Sequence, residues 1–273
     1  MYFINSLKKN RIFHLLKWIL IILVAFTLIS AILYFFTEPK QNRDWVAEHA
    51  LLPSINFNFD NGNKDNPIIK IKHIRDFNWQ APLLEQKIRH KEMQFQLNNI
   101  VELKAVVSHF SAISEIAHVF MIFVLDDGRE LGVSVEARRE QGEAFSISGG
   151  LLAKFELMYV LATPEDLLGI RKINHESVHV YPIKETKEKA REMFMLIANN
   201  VNALVKQPEM YHLFFKNCTN QLVKHVSILT QQRYPWFFQT VAPGKTGKIL
   251  YQLDLIDLPD TNFEDIQNKT LIK

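Results

Sequence analysis

Any thiol chemistry in these 273 residues must begin at Cys218, because the chain contains one cysteine. Cys218 stands in the run Phe214-Phe215-Lys216-Asn217-Cys218-Thr219-Asn220. Asparagine ahead of an apolar-periodic segment is a strong helix cap, so Cys218 is expected in a first helical turn. The N–H groups unpaired there favour an anion, which lowers a thiol pKa and supplies thiolate. The same groups can hold a developing oxyanion. A thiolate nucleophile needs an imidazole, and there are ten histidines. Those at 14, 49 and 90 fall in a tail, a tether and a polar stretch. His225 lies two turns further along the same helix, roughly 10 Å from the sulfur. His118 opens an apolar run beside Ala117, Val119 and Phe120, where a titratable ring is costly without a partner. The expected chemistry is acyl transfer, with Cys218 as nucleophile and His118 as base. A buried inert thiol and a satisfied core histidine are the ordinary alternatives.

A hairpin offers the imidazole its third partner. AHVFMIFVL (117–125), DDG and RELGVSVEA (129–137) read as two strands around an Asp-Gly turn. Centring that turn on Asp127 sets His118 opposite Glu136, with Cβ atoms about 5 Å apart. Glu136 would then orient the ring and stabilise its charged form. A two-residue turn would shift the register by one, and Ser134 or a backbone carbonyl would take its place.

The elements that position these groups follow from the rest of the pattern. Residues 18–36 are uncharged and apolar, covering roughly 28 Å at about 1.5 Å per residue. Thr27 and Ser30 are the polar exceptions, and Trp18 and Tyr34 sit near the ends, where interfacial aromatics belong. Lys8, Lys9, Arg11 and Lys17 precede the run, which places the N-terminus in the cytoplasm and the remainder outside. The reading is a basic tail over 1–17, an uncleaved anchor over 18–36, a tether and entry segment over 37–66 and a periplasmic domain over 67–273. The formal charge is +3 and the pI about 8.8, but the four basic residues of the tail account for the excess. A nucleic-acid partner is therefore not expected.

Within the domain, strands are predicted at 68–74, 93–97, 101–107, 155–162 and 178–183. Thr163-Pro164-Glu165-Asp166 reads as a helix start, 186–206 as an amphipathic helix ended by Pro208, and 218 onward as a second. Structure after that second helix is expected to be sparse. The class is α+β, with strands grouped ahead of helices. Pro243-Gly244-Lys245-Thr246 resembles a phosphate-loop ending, but Gln239 stands where its first glycine belongs, so it reads as a turn. His175 and His179 fall about 13 Å apart along a β-patterned run. No metal site and no cofactor is expected.

The stretches NRDW (42–45), IRDF (74–77), VSHFSAISEIAHVFMIFVLDDGRELGVSVEARREQGEAF (107–145), FELMYVLAT (155–163), VYPI (180–183) and FKNCTNQLVKH (215–225) together resemble the Lnb N-terminal periplasmic domain family. The resemblance implies a permuted papain-like antiparallel sheet packed on helices, with the histidine strand ahead of the nucleophile helix. It also implies a bacterial inner-membrane protein in which Cys218 holds an acyl group as a thioester. His118 would take the thiol proton and later activate the acceptor. Membrane phospholipid is the implied acyl donor and a lipoprotein amine the implied acceptor. Asn217 is the expected cap beside the oxyanion site. Arg138, with Arg139, in the SVEARRE run and Arg75 in the IRDF run are the candidates for binding substrate. Phe214, Phe215, Trp236, Phe237 and Phe238 are candidates for an acyl-binding or membrane-facing surface. A thiol hydrolase of the same fold, lipid esterase or peptidase, and a non-catalytic envelope scaffold are the competing readings.

Overall fold

A strand apolar on both faces needs cover on both, and His118–Leu125 lies near the middle of a sheet that provides it. The computed structural model describes residues 2–59, 65–79, 89–230, 234, 242–259 and 262–272. Nine strands form one sheet among the described residues. They are β1 (Ser54–Asn58), β2 (Ile68–Arg75), β3 (His90–Gln96), β4 (Ile100–His109), β5 (His118–Leu125), β6 (Glu130–Arg138), β7 (Glu156–Ala162), β8 (Ser177–Pro182) and β9 (Leu271–Ile272). The order is β1-β2-β7-β6-β5-β4-β8-β9, with β3 also on β2. Every pairing is antiparallel except the β2–β7 contact at Arg75 and Ala162. The α+β class with a mainly antiparallel sheet stands as expected.

Seven helices accompany it among the described residues: α1 (Tyr2–Phe36), α2 (Ile147–Leu151), α3 (Pro164–Ile173), α4 (Lys187–Lys206), α5 (Cys218–Thr230), α6 (Thr246–Gln252) and α7 (Phe263–Thr270). Side chains alternate across a strand, and β5 divides the core accordingly. Val119, Met121 and Phe123 join the cluster that holds Met193, Phe194 and Ile197 of α4 and Leu222 of α5. Phe120 and Ile122 point the other way and pack with Leu167 of α3. The β5–β6 turn is centred on Asp127, with Leu125 N–H on Arg129 O at 2.8 Å and Gly128 N–H on Leu125 O at 3.0 Å. Gly128 takes φ +83°, which L side chains resist. Thr163 caps α3 as predicted, with Pro164 in its first turn.

Two expectations about organisation are corrected. The segment 37–66 is not a free tether over its described part. Ile55 of β1 is buried, Trp45 bridges to Glu140, and the Trp45 ring lies under the Arg138 guanidinium at 4.0 Å. Scattered large apolar residues between turn signals were enough to bury, although they show no period. The chain beyond α5 is also more structured than expected, with α6, α7 and edge strand β9. Helices of seven and eight residues carry too few turns for a visible stripe.

Pro243-Gly244-Lys245 is a 3₁₀ turn leading into α6, so the reading as a turn holds. Its glycine has a steric cause, since a Cβ at Gly244 would lie 1.9 Å from Ser114 O. Gly244 N–H bonds Glu115 O at 2.8 Å, clamping the loop between β4 and β5. Gly244→Ala is expected to cost about 1–3 kcal/mol through overpacking. Thermal unfolding would show the loss, and an unchanged midpoint would mean the loop yields freely.

The apolar end of α1, Phe13–Phe36, has a mean hydropathy of 2.8 and is 6% buried. Ser30 is nonetheless 3% exposed, because it meets the domain. Its hydroxyl donates to Leu151 O and lies 2.9 Å from His212 Nε2. Phe214 N–H donates to His212 Nδ1 at 3.1 Å, so Nε2 carries the proton and donates to Ser30. Tyr34 stacks edge-on against His212 and lies beside Phe215, with centroids 5.0 and 5.3 Å apart.

Candidate active site

β5 and α5 deliver their first residues to one place. Cys218 opens α5, and Asn217 caps it: Asn220 N–H donates to Asn217 Oδ1, and Asn217 N–H donates to Asn220 Oδ1, each at 2.8 Å. Asn217 Nδ2 donates to Leu213 O at 2.6 Å, which locks the cap to the chain before it. Asn217 thus fills the cap role. The groups there with the chemistry to hold an anion are first-turn backbone N–H groups such as those of Cys218 and Thr219. His118 opens β5 and lines the same cleft as Cys218, close enough that each shifts the other's pKa.

The hairpin register then brings the third group. Met121 pairs with Val133 and Val124 with Glu130, and continuing that ladder carries Glu136 to His118. His118 Nε2 lies 3.3 Å from Glu136 Oε1 and 2.7 Å from Ser134 Oγ. Ser134 donates to Glu136 Oε1 at 2.7 Å, so its oxygen is free to accept from the imidazole. Glu136 and Ser134, alternatives in the sequence, act together. Arg171 of α3 adds a positive charge 3.3 Å from Glu136 Oε1. No local pattern announces Arg171; only the packing of α3 on the sheet brings it in.

The electrostatics favour a preformed ion pair. Burial opposes charge on His118, but the Glu136 carboxylate and the Cys218 sulfur outweigh it and raise its pKa to about 10. Burial would raise the Cys218 pKa, yet it falls below the usual thiol range. The cationic His118 and its hydrogen bond are the main cause, helped by Val119 N–H and the Thr219 hydroxyl. Glu136 is held well below the usual carboxylate range against burial, by His118, Arg171 and Ser134. His118 and Glu136 thus favour each other's charged forms, and His118 favours the thiolate form of Cys218.

These groups line a cleft of about 600 Å³, with Phe110, Phe145, Ile147, Tyr211 and Phe214 among its apolar walls. Thr219 lines the cleft and also an almost wholly apolar chamber of about 110 Å³ behind it, bordered by Val119, Met193 and Leu222. The family described as Lnb N-terminal periplasmic domain matches residues 88–244, more than half of the chain and spanning both His118 and Cys218. The chain belongs to this family. No curated protein and no solved structure matches it.

Two arginines fall outside the site of this Lnb-family domain. Arg138 is 4% exposed, donates to His49 O at 3.0 Å and Ala50 O at 3.2 Å, and lies over Trp45. Arg75 is 5% exposed and grips Asp166, with Nε to Oδ1 at 2.9 Å and Nη2 to Oδ1 at 2.8 Å. Neither lines the cleft, so both are corrected from substrate binding to structural roles. Arg139 and Arg171 line it instead, and Arg139 is paired with Glu48 at 2.8 Å. Phe214 faces the cleft and Phe215 meets the anchor, while 236–238 lie outside the described residues. No group of three or more potential metal ligands occurs among the described residues.

Because Cys218 is the sole thiol, alkylation reads its ionisation without competitors. Iodoacetamide should keep modifying the parent chain to lower pH than His118→Ala, because His118 holds the Cys218 thiol below its ordinary pKa. In His118→Ala the cationic partner is gone, and the rate should fall about tenfold per pH unit below the restored thiol pKa. Matching steep profiles in both chains would refute the ion pair. At the alkaline end the pair dissolves as His118 loses its proton near pH 10.

Proposed function

We propose that this is a membrane-anchored periplasmic cysteine acyltransferase that moves an acyl chain from a phospholipid to an amine, with a lipoprotein N-terminus as the acceptor class. The observation that carries the reading is the meeting of Cys218, His118 and Glu136 in one cleft with apolar walls, the imidazole held by Ser134 and Glu136. In this reading α1 is a single span of the bacterial inner membrane, its basic N-terminus cytoplasmic and its domain periplasmic.

The Cys218 thiolate attacks the ester carbonyl, and the first-turn N–H groups of α5 hold the oxyanion. As the C–O bond breaks, His118 gives its proton to the leaving lysophospholipid oxygen, and a thioester remains on the sulfur. With Nε2 committed to Ser134 and Glu136, Nδ1 is the nitrogen left to exchange that proton. Neutral His118 then takes a proton from the incoming amine as nitrogen attacks the thioester. An amide forms, thiolate leaves, and the imidazolium is restored. The apolar chamber lined by Thr219, the residue after the nucleophile, gives the acyl chain a place to lie.

The test incubates the full chain with acyl-labelled phospholipid, with and without a peptide bearing a lipoprotein-type N-terminal amine. Label on the peptide nitrogen, and lysophospholipid in equal amount, is the expected result. Free fatty acid released equally in both incubations would replace this reading with a hydrolase.

A further inference from the structure

Ser30 lies six residues before the end of the apolar span at Phe36, which is roughly 9 Å along the helix axis. It is buried there against the domain rather than against lipid. The domain surface that receives it, Leu151 and His212, therefore reaches below the end of the span. The catalytic cleft begins within one short helix of that contact. Leu151 closes α2 at the anchor, while Ile147 opens α2 at the cleft. Likewise His212 and Phe215 meet the anchor, while Leu213 and Phe214 between them line the cleft.

The apolar side chains around the cleft are not covered. Phe110, Phe145 and Ile147 line the cleft and are exposed, and Ile113 on the β4–β5 loop and Leu152 just after α2 are exposed near them in the chain. Single exposed apolar residues are ordinary, but a set rimming one cleft and continuous with a helix in the membrane is not. We infer that this rim is a lipid-docking face. The cleft mouth rests in the headgroup–acyl boundary of the outer leaflet, so that an acyl chain reaches Cys218 without crossing water. Interfacial apolar groups enter that boundary by roughly 5–10 Å, which matches the depth at which Ser30 holds the domain. The proposal rests on α1 being an uncleaved span, and it adds a fixed orientation of the domain on the bilayer.

The test uses the full chain with Cys218→Ser, which removes the native thiol and any turnover. Single cysteines are introduced by Ile113→Cys, Ile147→Cys and, as a distant reference, Asp127→Cys. The reference lies in the turn at the far end of β5, roughly 30 Å from His118. Each is labelled with an environment-sensitive dye and reconstituted in phosphatidylethanolamine–phosphatidylglycerol vesicles carrying acyl-chain nitroxides. Dyes at 113 and 147 should lose at least about half of their emission, while the dye at 127 stays bright. If either rim dye stays as bright as the reference, the face does not touch lipid and the inference fails. Because the chains are inactive, that result leaves the acyl-transfer reading untouched.

Discussion

Cys218→Ala is expected to lose phospholipid turnover by on the order of 10⁴-fold or more, since no other side chain can take over the covalent step. Intact-mass measurement after brief exposure to phospholipid makes the test direct. The parent chain should gain one acyl mass, removable by hydroxylamine as expected for a thioester, and Cys218→Ala should gain none. His118→Ala should lose comparable activity. It removes the proton carrier and also the charge that lowers the Cys218 pKa. Glu136→Gln should fall between these and the parent, because Ser134 still meets the ring and Arg171 loses only its counter-charge. A chain that keeps its cellular phenotype with both Cys218→Ala and His118→Ala would be a scaffold, and the acyl-enzyme would be abandoned.

Asp166→Ala is expected to cost about 3–5 kcal/mol, the largest stability loss foreseen for one substitution, because it strands a buried guanidinium. Asp166 is fully buried and accepts from Arg75, from Phe77 N–H at 2.7 Å and from Trp79 Nε1 at 3.1 Å. One carboxylate thus ties the start of α3 to the end of β2, across the β2–β7 junction. Urea unfolding should show a large fall in the midpoint. The double variant Arg75→Met, Asp166→Leu should recover much of the loss, since a packed apolar pair replaces a buried ion pair at little net cost. If the single variant unfolds like the parent, the pair contributes nothing to stability. A double variant no better than the single would place the loss in the Phe77 and Trp79 bonds instead.

What was legible beforehand was local in origin. The span at 18–36 needs only composition and length. The cap at Asn217 needs four consecutive residues. The proximity of Glu136 to His118 follows from one turn, because the Asp-Gly geometry sets the register of both arms. The strands at 68–74, 101–107, 155–162 and 178–183 showed in their β-branched and aromatic content. The family resemblance, quoted from residues 42–225, was borne out by the match over 88–244.

What misled was equally physical. Arg138 sits two residues beyond Glu136 on the same strand, so by alternation it should share its neighbourhood. Trp45 folds back from the supposed tether and covers it, a contact across more than ninety residues of chain. Arg75 reads as an exposed cation until the buried Asp166 is known to face it. Arg171 has no distinguishing neighbours in sequence, yet it stands beside Glu136.

By itself the sequence determined the thiol, its helix cap, the histidine strand, the hairpin register and the apolar span. All of these depend on residues close together in the chain, where backbone geometry leaves little choice. Only the tertiary structure decided that α5 meets β5, that α3 supplies Arg171, and that Ser30 binds the domain. Those contacts join segments far apart in sequence, and which surfaces meet is set by burial of the whole sheet rather than by any segment's own preference.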